Sequence, residues 1–257
     1  MSKKIVIANW KMNPRTEQEA LKLFGSVAKA VSKTRKTQVI ICPPAIYIPR
    51  LKKLSKKISL GAQNAFLGDT GPFTGEISPE MLYEAGARYV ILGHSERKNP
   101  PLGRGETSAE INKKLKSAQS ASLTPVLCVG ENARDENHEY FGIVREQIKD
   151  CLNGINKNLI SKIIFVYEPV WAISSTPGRR DATPDDSAEM AIFIRKVLSD
   201  LSTPQIANKT KIIYGGSVTE RDAEGFLRDG GVDGVMPGRA SLTAKKFIEI
   251  VNIAEKI

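Results

Sequence analysis

One repeated sequence pattern restricts the fold more than any other feature of this chain. A short apolar segment followed by a helical stretch with one apolar face occurs eight times, and the strand-like segments span residues 4–10, 38–42, 58–62, 88–93, 125–129, 163–166, 211–214 and 232–236. Runs of this kind are typical of strands buried on both faces of a parallel sheet. Eight such units in 257 residues predict an α/β protein, a closed (β/α)8 barrel in which residues 1–257 form a single domain. An open doubly wound sheet usually has fewer strands or a second domain, and no glycine fingerprint follows the first strand.

Two helix starts are predicted from capping residues. Ser78 precedes a proline and an acidic residue, and Thr183 precedes a proline and two aspartates. Ser and Thr at the N-cap position accept hydrogen bonds from the first helical turn, where proline and acidic residues are also favoured. Helices are therefore expected to begin at residues 79 and 184.

Composition excludes several classes of protein. Hydrophobic residues make up 41% of the chain, but no uninterrupted apolar run is long enough to predict a membrane span. The first residues, Met-Ser-Lys-Lys, lead directly into a strand and do not resemble a signal peptide. Three cysteines (Cys42, Cys128 and Cys151) lack metal-binding spacing, which favours reduced thiols in a cytoplasmic protein.

The chain is basic, with a formal net charge of +10. Its lysines are interpreted as spread along the chain rather than gathered in one arm or patch. Nucleic-acid binding is therefore not expected. The positive surface is expected to attract anionic substrates.

In a barrel of this type the active face lies at the carboxyl ends of the strands. Three groups with catalytic chemistry fall there: Lys11 after strand one, His94 after strand four and Glu168 after strand six. Other residues at strand ends include Asn9, Gln63, Asn64, Ser95, Glu96, Glu131, Ser217, Gly238 and Arg239. The second histidine, His138, is predicted to be an exposed helical residue without a role.

This set of residues is suited to removing a proton next to a carbonyl group. Such a reaction needs a base, here Glu168, and groups that stabilise the enolate oxygen, here His94 and Lys11. The turns at 215–217 and 237–239 are expected to offer backbone N–H groups to a phosphate. The simpler interpretations are a solvated strand-end carboxylate, a surface lysine, and a histidine bonded only to a backbone amide.

Eight segments of the sequence are similar to the triosephosphate isomerase family. They are residues 8–13 (ANWKMN), 61–64 (GAQN), 73–76 (FTGE), 92–97 (LGHSER), 127–131 (LCVGE), 167–173 (YEPVWAI), 214–218 (YGGSV) and 238–242 (GRASL). They occur in order and together span essentially the whole chain, from residue 8 to residue 242. The resemblance implies interconversion of dihydroxyacetone phosphate and D-glyceraldehyde 3-phosphate in glycolysis and gluconeogenesis, with no metal and no cofactor.

The resemblance also implies roles for individual residues. The base is Glu168 and the electrophile is His94, while Asn9 and Lys11 bind the substrate. Glu96 is implied to support that pair. The phosphate site is implied to consist of Ser174, Ser217, Gly238 and Arg239. The implied supporting residues are Ser95, Lys114 and Tyr214, and Lys114 is implied to be the ion-pair partner of Glu96. In this family a helix N-terminus keeps the histidine neutral, and residues 106–108 are expected to bring a helix N-terminus near His94.

Three stretches depart from the family pattern. The lid, residues 174–181, is longer than usual and begins with Ser174 in place of glycine. In the family, the residue at this position donates its backbone N–H to the substrate phosphate. Serine can replace glycine as this donor if its φ is negative. The pair Gly238-Arg239 replaces two glycines, and residues 99–105 are longer than usual. These departures are expected to affect the movement of the lid and the turnover rate, but not the identity of the base or the electrophile.

Three functions are consistent with these observations. The first is a triosephosphate isomerase, and the second is a related aldose–ketose phosphate isomerase whose unusual lid admits another sugar. The third is a catalytically silent binding protein, which would be expected to lack Glu168, His94 or Lys11. The resemblance further implies a homodimer, in which Thr74 of the loop 68–76 reaches the partner's site.

Overall fold

The computed structural model describes residues 3–174 and 176–257. Within them, eight parallel strands form a closed barrel in sequence order, each paired with the next and the last with the first. The strands are β1 (Lys4–Asn9), β2 (Thr37–Cys42), β3 (Ser59–Ala62), β4 (Tyr89–Leu92), β5 (Thr124–Val129), β6 (Ile164–Tyr167), β7 (Lys211–Tyr214) and β8 (Gly234–Val235). The predicted (β/α)8 barrel is confirmed.

Helices follow the strands and surround the barrel. Those in the described residues are α1 (Glu17–Ala30), α2 (Ile48–Leu51), α3 (Pro79–Ala85), α4 (Ser95–Lys98), α5 (Ser108–Ser120), α6 (Tyr140–Cys151), α7 (Lys157–Ile160), α8 (Pro184–Leu201), α9 (Pro204–Lys209), α10 (Ala223–Asp229) and α11 (Ala244–Lys256). Both predicted caps are present. The Ser78 side chain accepts from the Met81 N–H, and Thr183 forms a reciprocal capping box with Asp186.

Each strand is buried on both faces, and six of the eight strands contribute side chains to two separate apolar clusters. Alternate residues of β1 show this, because Ile5 and Ile7 point into the barrel whereas Val6 and Ala8 pack against the helices. Successive side chains of a strand point to opposite faces. Burial on both sides explains why these segments are continuously apolar in the sequence.

The barrel closes between its shortest strand and its first. Gly234 and Val235 of β8 pair with Ile5 and Val6 of β1. A Cβ atom at Gly234 would lie 1.9 Å from the carbonyl oxygen of Ile5. Only glycine therefore allows the two backbones to approach closely enough to pair.

The helices and the cysteines bear on two predictions made from composition. No helix in the described part of the chain combines the length and apolar character that crossing a membrane requires. The three cysteines are buried and unpaired, and Cys42 and Cys128 belong to the cluster inside the barrel.

The expectation that cations are evenly spread is wrong. Residues 20–68 contain ten Lys and Arg residues and no Asp or Glu, whereas the rest of the chain contains 28 of each sign. All ten are exposed. This segment therefore accounts for the whole net charge of the protein.

Candidate active site

Two adjoining cavities open at the carboxyl ends of the strands. The first, of about 330 Å³, is lined by eight of the predicted residues: Asn9, Lys11, His94, Glu168, Ser174, Ser217, Gly238 and Arg239. The second, of about 430 Å³, shares Asn9, Lys11 and His94 and adds Glu96. The barrel thus brings together the residues that the sequence analysis placed at one face.

Glu168 follows β6 directly and is almost completely buried, with 1% of its surface exposed. Its backbone N–H donates to the carbonyl oxygen of Val129, the last residue of β5. A Cβ atom at Gly130 would lie 2.0 Å from the Glu168 carbonyl oxygen, so glycine is required for this approach. The interpretation of Glu168 as a solvated strand-end residue is wrong.

The carboxylate of Glu168 is held by one hydrogen bond and one close contact. Its Oε2 accepts from the Ser95 backbone N–H at 2.8 Å, and its Oε1 lies 2.9 Å from Nε2 of His94. Burial raises the pKa of the Glu168 carboxyl, but His94, Lys98 and the Ser95 N–H together outweigh that effect and lower the pKa. Glu168 is therefore ionised at neutral pH and can accept a proton.

His94 lies at the N-cap of the short helix α4, and its ring is oriented by that helix. Its Nδ1 accepts from the Glu96 backbone N–H at 3.2 Å, so in a neutral ring the hydrogen is on Nε2, facing Glu168. The expected contact with a helix N-terminus is thus supplied by α4. The helix N-terminus expected from the sequence was instead that of α5, the helix that begins at Ser108.

Lys11 is fixed by its backbone as well as by its side chain. Its φ is 51°, a left-handed conformation that is uncommon outside glycine. Asn9 Oδ1 accepts its N–H at 3.1 Å, and the Gln63 amide donates to its carbonyl at 2.8 Å. Lys11 Nζ lies 2.5 Å from Glu96 Oε1. An unconstrained surface lysine would make none of these contacts.

The predicted ion pair between Lys114 and Glu96 is wrong. Lys114 Nζ lies 2.8 Å from Glu106 and donates to Asn64 at 2.9 Å, whereas Glu96 pairs with Lys11. Glu106 also pairs with Arg97. Lys114 therefore connects α5 to the strand ends rather than to the pair that faces the cavity.

The opposite side of the first cavity offers groups to an anion. The N–H of Ser217 donates to the Ala172 carbonyl, while no acceptor among the described residues receives the N–H of Gly216 or Gly238. The guanidinium of Arg239 donates to the Ser174 carbonyl at 3.3 Å, and Arg179 also lines the cavity. Two backbone donors and two cations together can bind a phosphate.

The lid is only partly described. Ser174 is not among the residues with positive φ, so its backbone meets the condition for serine to replace glycine. Ser175 lies outside the described residues. The hydroxyl of Tyr214 is buried without a hydrogen-bond partner in the described chain, and its ring stacks on Phe226 with centroids 4.0 Å apart.

A buried network at the start of the lid was not predicted. Glu131 is completely buried, and its Oε1 accepts from the Tyr167 hydroxyl at 2.8 Å and from Trp171 Nε1 at 2.7 Å. Arg134 lies beside it, 3.5 Å away, and pairs with Asp186. Glu131 was recognised as a strand-end residue, but its hydrogen-bond partners Tyr167 and Trp171 lie 36 and 40 positions away, so these bonds carry no local signal.

Two other expectations concern residues away from the cavities. His138 is exposed as predicted, but it precedes α6 with a φ of 58° and is not helical. Thr74 is exposed on its loop, where Phe73 packs against Phe66 with ring centroids 4.5 Å apart.

The described residues contain no group of three or more His, Cys, Asp or Glu that could hold a metal ion.

A closed parallel barrel with a buried carboxylate, an imidazole and an ammonium at its carboxyl-terminal face is the arrangement of a barrel enzyme. The sequence profile of triosephosphate isomerase matches residues 4–254. The triosephosphate isomerase of Caldanaerobacter subterraneus subsp. tengcongensis is 39% identical over 255 residues, which cover 98% of this chain and 100% of that relative. The crystal structure of triosephosphate isomerase from Bartonella henselae superposes with a TM-score of 0.85 at 33% identity, covering 98% of both chains. The chain belongs to the triosephosphate isomerase family.

Proposed function

We propose that this protein interconverts dihydroxyacetone phosphate and D-glyceraldehyde 3-phosphate. The observation that carries the proposal is the position of Glu168. Its carboxylate is buried and ionised, and it lies in the same cavity as His94, Lys11 and the phosphate-binding turns. A base, an electrophile and an anion site in one enclosed space suit a small phosphorylated substrate.

The first chemical step is removal of a proton from the carbon beside the carbonyl group. Glu168 accepts that proton, and the electron pair of the broken C–H bond forms the carbon–carbon double bond of an enediolate. The hydroxyl proton moves from the oxygen of the first carbon to the oxygen of the second, and Glu168 returns the abstracted proton to the second carbon. The carbon–carbon double bond is thereby lost and a carbonyl group forms on the first carbon, which completes the isomerisation. No electron is gained or lost overall, so the reaction needs no external oxidant or reductant.

His94 and Lys11 stabilise the oxygen on which negative charge develops. In the structure Nε2 of His94 lies 2.9 Å from Oε1 of Glu168. When Glu168 turns towards the substrate carbon, the Nε2–H becomes available to the substrate oxygen. The ammonium of Lys11, oriented by Glu96, adds a positive charge beside it.

Substitution of the base gives the most direct test. Glu168→Gln keeps the shape of the side chain but cannot accept a proton at neutral pH. We expect kcat to fall by at least about 10²-fold, the low end of what general-base catalysis contributes. A coupled assay with D-glyceraldehyde 3-phosphate measures this. A folded variant with unchanged kcat would show that the base is another residue.

One observation favours a second candidate, an isomerase of a longer phosphorylated aldose. The lid contributes Arg179 to the cavity, where Lys246 is also present. These cations could bind an additional polar group of a larger sugar. Comparing kcat/KM for glyceraldehyde 3-phosphate with the values for four- and five-carbon aldose phosphates separates the two functions.

We further propose that the protein acts in the cytoplasm as a homodimer. The loop 68–76 is exposed, and 45% of the Phe73 surface is accessible. The second cavity lies open beside Lys11 and Glu96 and can receive Thr74 of a partner. Sedimentation at micromolar concentration is expected to show a dimer, and a fully active monomer would contradict the proposal.

A further inference from the structure

Five of the ten exposed cations in residues 20–68 line one groove on the outside of the barrel. The groove lies between α1 and residues 50–57 and has a volume of about 830 Å³. Its cationic residues are Lys29, Arg50, Lys53, Lys56 and Lys57, and no Asp or Glu is among its lining residues. We name this feature the basic groove. Its volume is within the range of about 300–1,000 Å³ that is common for ligand sites.

The charge of the basic groove is hardly neutralised within the described chain. Arg50 lies 3.4 Å from Glu17, and both side chains are more than half exposed. An exposed pair of this kind contributes little. In the regions that the structure describes, no carboxylate lies within ion-pair distance of Lys29, Lys53, Lys56 or Lys57. Clustered like charges repel one another, and an anionic partner would relieve that repulsion.

The lining of the basic groove is not exclusively charged. Leu21, Ala28 and Leu54 contribute apolar surface, and 47% of the Leu54 surface is exposed. Gly25 lies between the first two along α1. A side chain added at Gly25 would meet no atom within 4 Å, so the groove is open at this point.

We infer that the basic groove binds a short acidic polypeptide segment that carries apolar side chains. Carboxylates of the segment would face the lysines, and an apolar side chain would pack on Leu21 and Leu54. No aromatic residue lines the groove, whereas binding of single-stranded nucleic acid relies on aromatic stacking. The concave shape suits a narrow chain better than a planar membrane surface.

This site is separate from the catalytic one. The basic groove shares no lining residue with either cavity at the carboxyl ends of the strands. Isomerase activity is therefore a suitable control for folding. It also makes failure of this inference distinguishable from failure of the proposed function.

The test uses three variants of the full chain. In the first, Lys53, Lys56 and Lys57 are all replaced by Gln. The second is Gly25→Leu, which fills the groove without changing the charge and places a better helix former in α1. The matched control replaces Lys113, Lys157 and Lys162 by Gln, because these exposed lysines lie outside the groove.

Binding is measured by fluorescence anisotropy with a labelled peptide of alternating Glu and Leu at low salt. We expect affinity to fall about tenfold in the lysine triple variant and about fivefold in Gly25→Leu, with no change in the control. A Glu–Ser peptide of equal charge is expected to bind more weakly. The inference is overturned if the Glu–Leu peptide does not bind, or binds all variants equally. It is also overturned if a uridine oligonucleotide or phosphatidylserine vesicles bind more tightly than the peptide.

Discussion

The two parts of the segment that follows Glu168 are held in different ways. Residues 170–173 are mostly buried, and the Trp171 indole donates to the completely buried Glu131. Residues 176–181 are largely exposed, and the backbone N–H groups of Thr176 and Arg180 donate to the carbonyls of Ile173 and Trp171. Thr176 donates to the Val170 carbonyl at 2.6 Å, and the Arg180 guanidinium lies 4.3 Å from the centre of the Trp171 ring.

This difference separates two requirements of the site. In the proposed reaction the carboxylate of Glu168 must be positioned precisely, and the adjoining buried network holds the chain on both sides of it. A cover over the substrate must open and close on each turnover, which requires weak contacts that are easily broken. The first part of the segment meets the first requirement and the outer part meets the second.

The largest effect is expected from breaking the buried part. Glu131→Ala would leave the Tyr167 hydroxyl and the Trp171 indole without their shared acceptor, and Arg134 would lose a buried carboxylate 3.5 Å away. Removing one partner of a buried ionic network costs about 3–5 kcal/mol, because the remaining groups stay buried without compensation. Denaturant unfolding measures the change in the free energy of unfolding.

Glu136→Ala is the matched control, because Glu136 is exposed on the loop that follows β5. Its free energy of unfolding is expected to differ from the unsubstituted protein by less than about 0.5 kcal/mol. If Glu131→Ala also changed stability this little, the buried network would not be what fixes the start of the lid.

An intermediate effect is expected from Arg239→Ala. The variant loses the bond from Arg239 to the Ser174 carbonyl, a contact that joins the first residue of the lid to the loop after β8. A hydrogen bond of this kind contributes about 0.5–1.5 kcal/mol. The lid should therefore open more often, and trypsin should cleave after Arg179 and Arg180 about threefold to tenfold faster. Mass spectrometry follows these two cleavages.

The control for this experiment is Arg221→Ala, because Arg221 is exposed and does not line the first cavity. It should leave the rate of cleavage unchanged. A phosphate-bearing enediolate analogue, but not inorganic sulfate, is expected to protect the unsubstituted lid. Equal cleavage with and without the analogue would show that the outer lid does not respond to the reacting part of the ligand.

The smallest effect is expected from the exposed ion pair at the end of the lid. Arg179 Nη1 lies 2.5 Å from Asp181 Oδ1, and 83% of the Asp181 side chain is exposed. Asp181→Asn should change the free energy of unfolding by less than about 0.5 kcal/mol, since exposed pairs contribute little. A larger loss would show that the outer lid is held more firmly than its contacts indicate.

The fold was predictable because its signal repeats. Each strand is buried on both faces, so each gives a continuous apolar run, and β1 was expected at 4–10 and found at Lys4–Asn9. The bounds of the last strand were predicted least accurately, since it was expected at 232–236 and found at Gly234–Val235. Its pairing depends on the close approach of two backbones, for which a single glycine is the only local sign.

The positions of the site residues were predictable from the sequence, but the side chains with which they pair were not. The carboxyl ends of parallel strands meet at one face, so Lys11, His94 and Glu168 could be placed together from strand order alone. The choice of Lys114 for Glu96 failed because Lys114 pairs with Glu106 and Glu96 pairs with Lys11. Which of them meet depends on side-chain directions in the folded protein.

The pairing of the shortest strand with the first has a consequence for biosynthesis. β1 emerges early from the ribosome, but its second edge has no partner until residues 234 and 235 have been made. Contacts between residues this distant in sequence form late, because a long loop must be closed before they are gained. The nascent barrel therefore exposes an unpaired strand edge during most of its synthesis, and such edges promote association between chains.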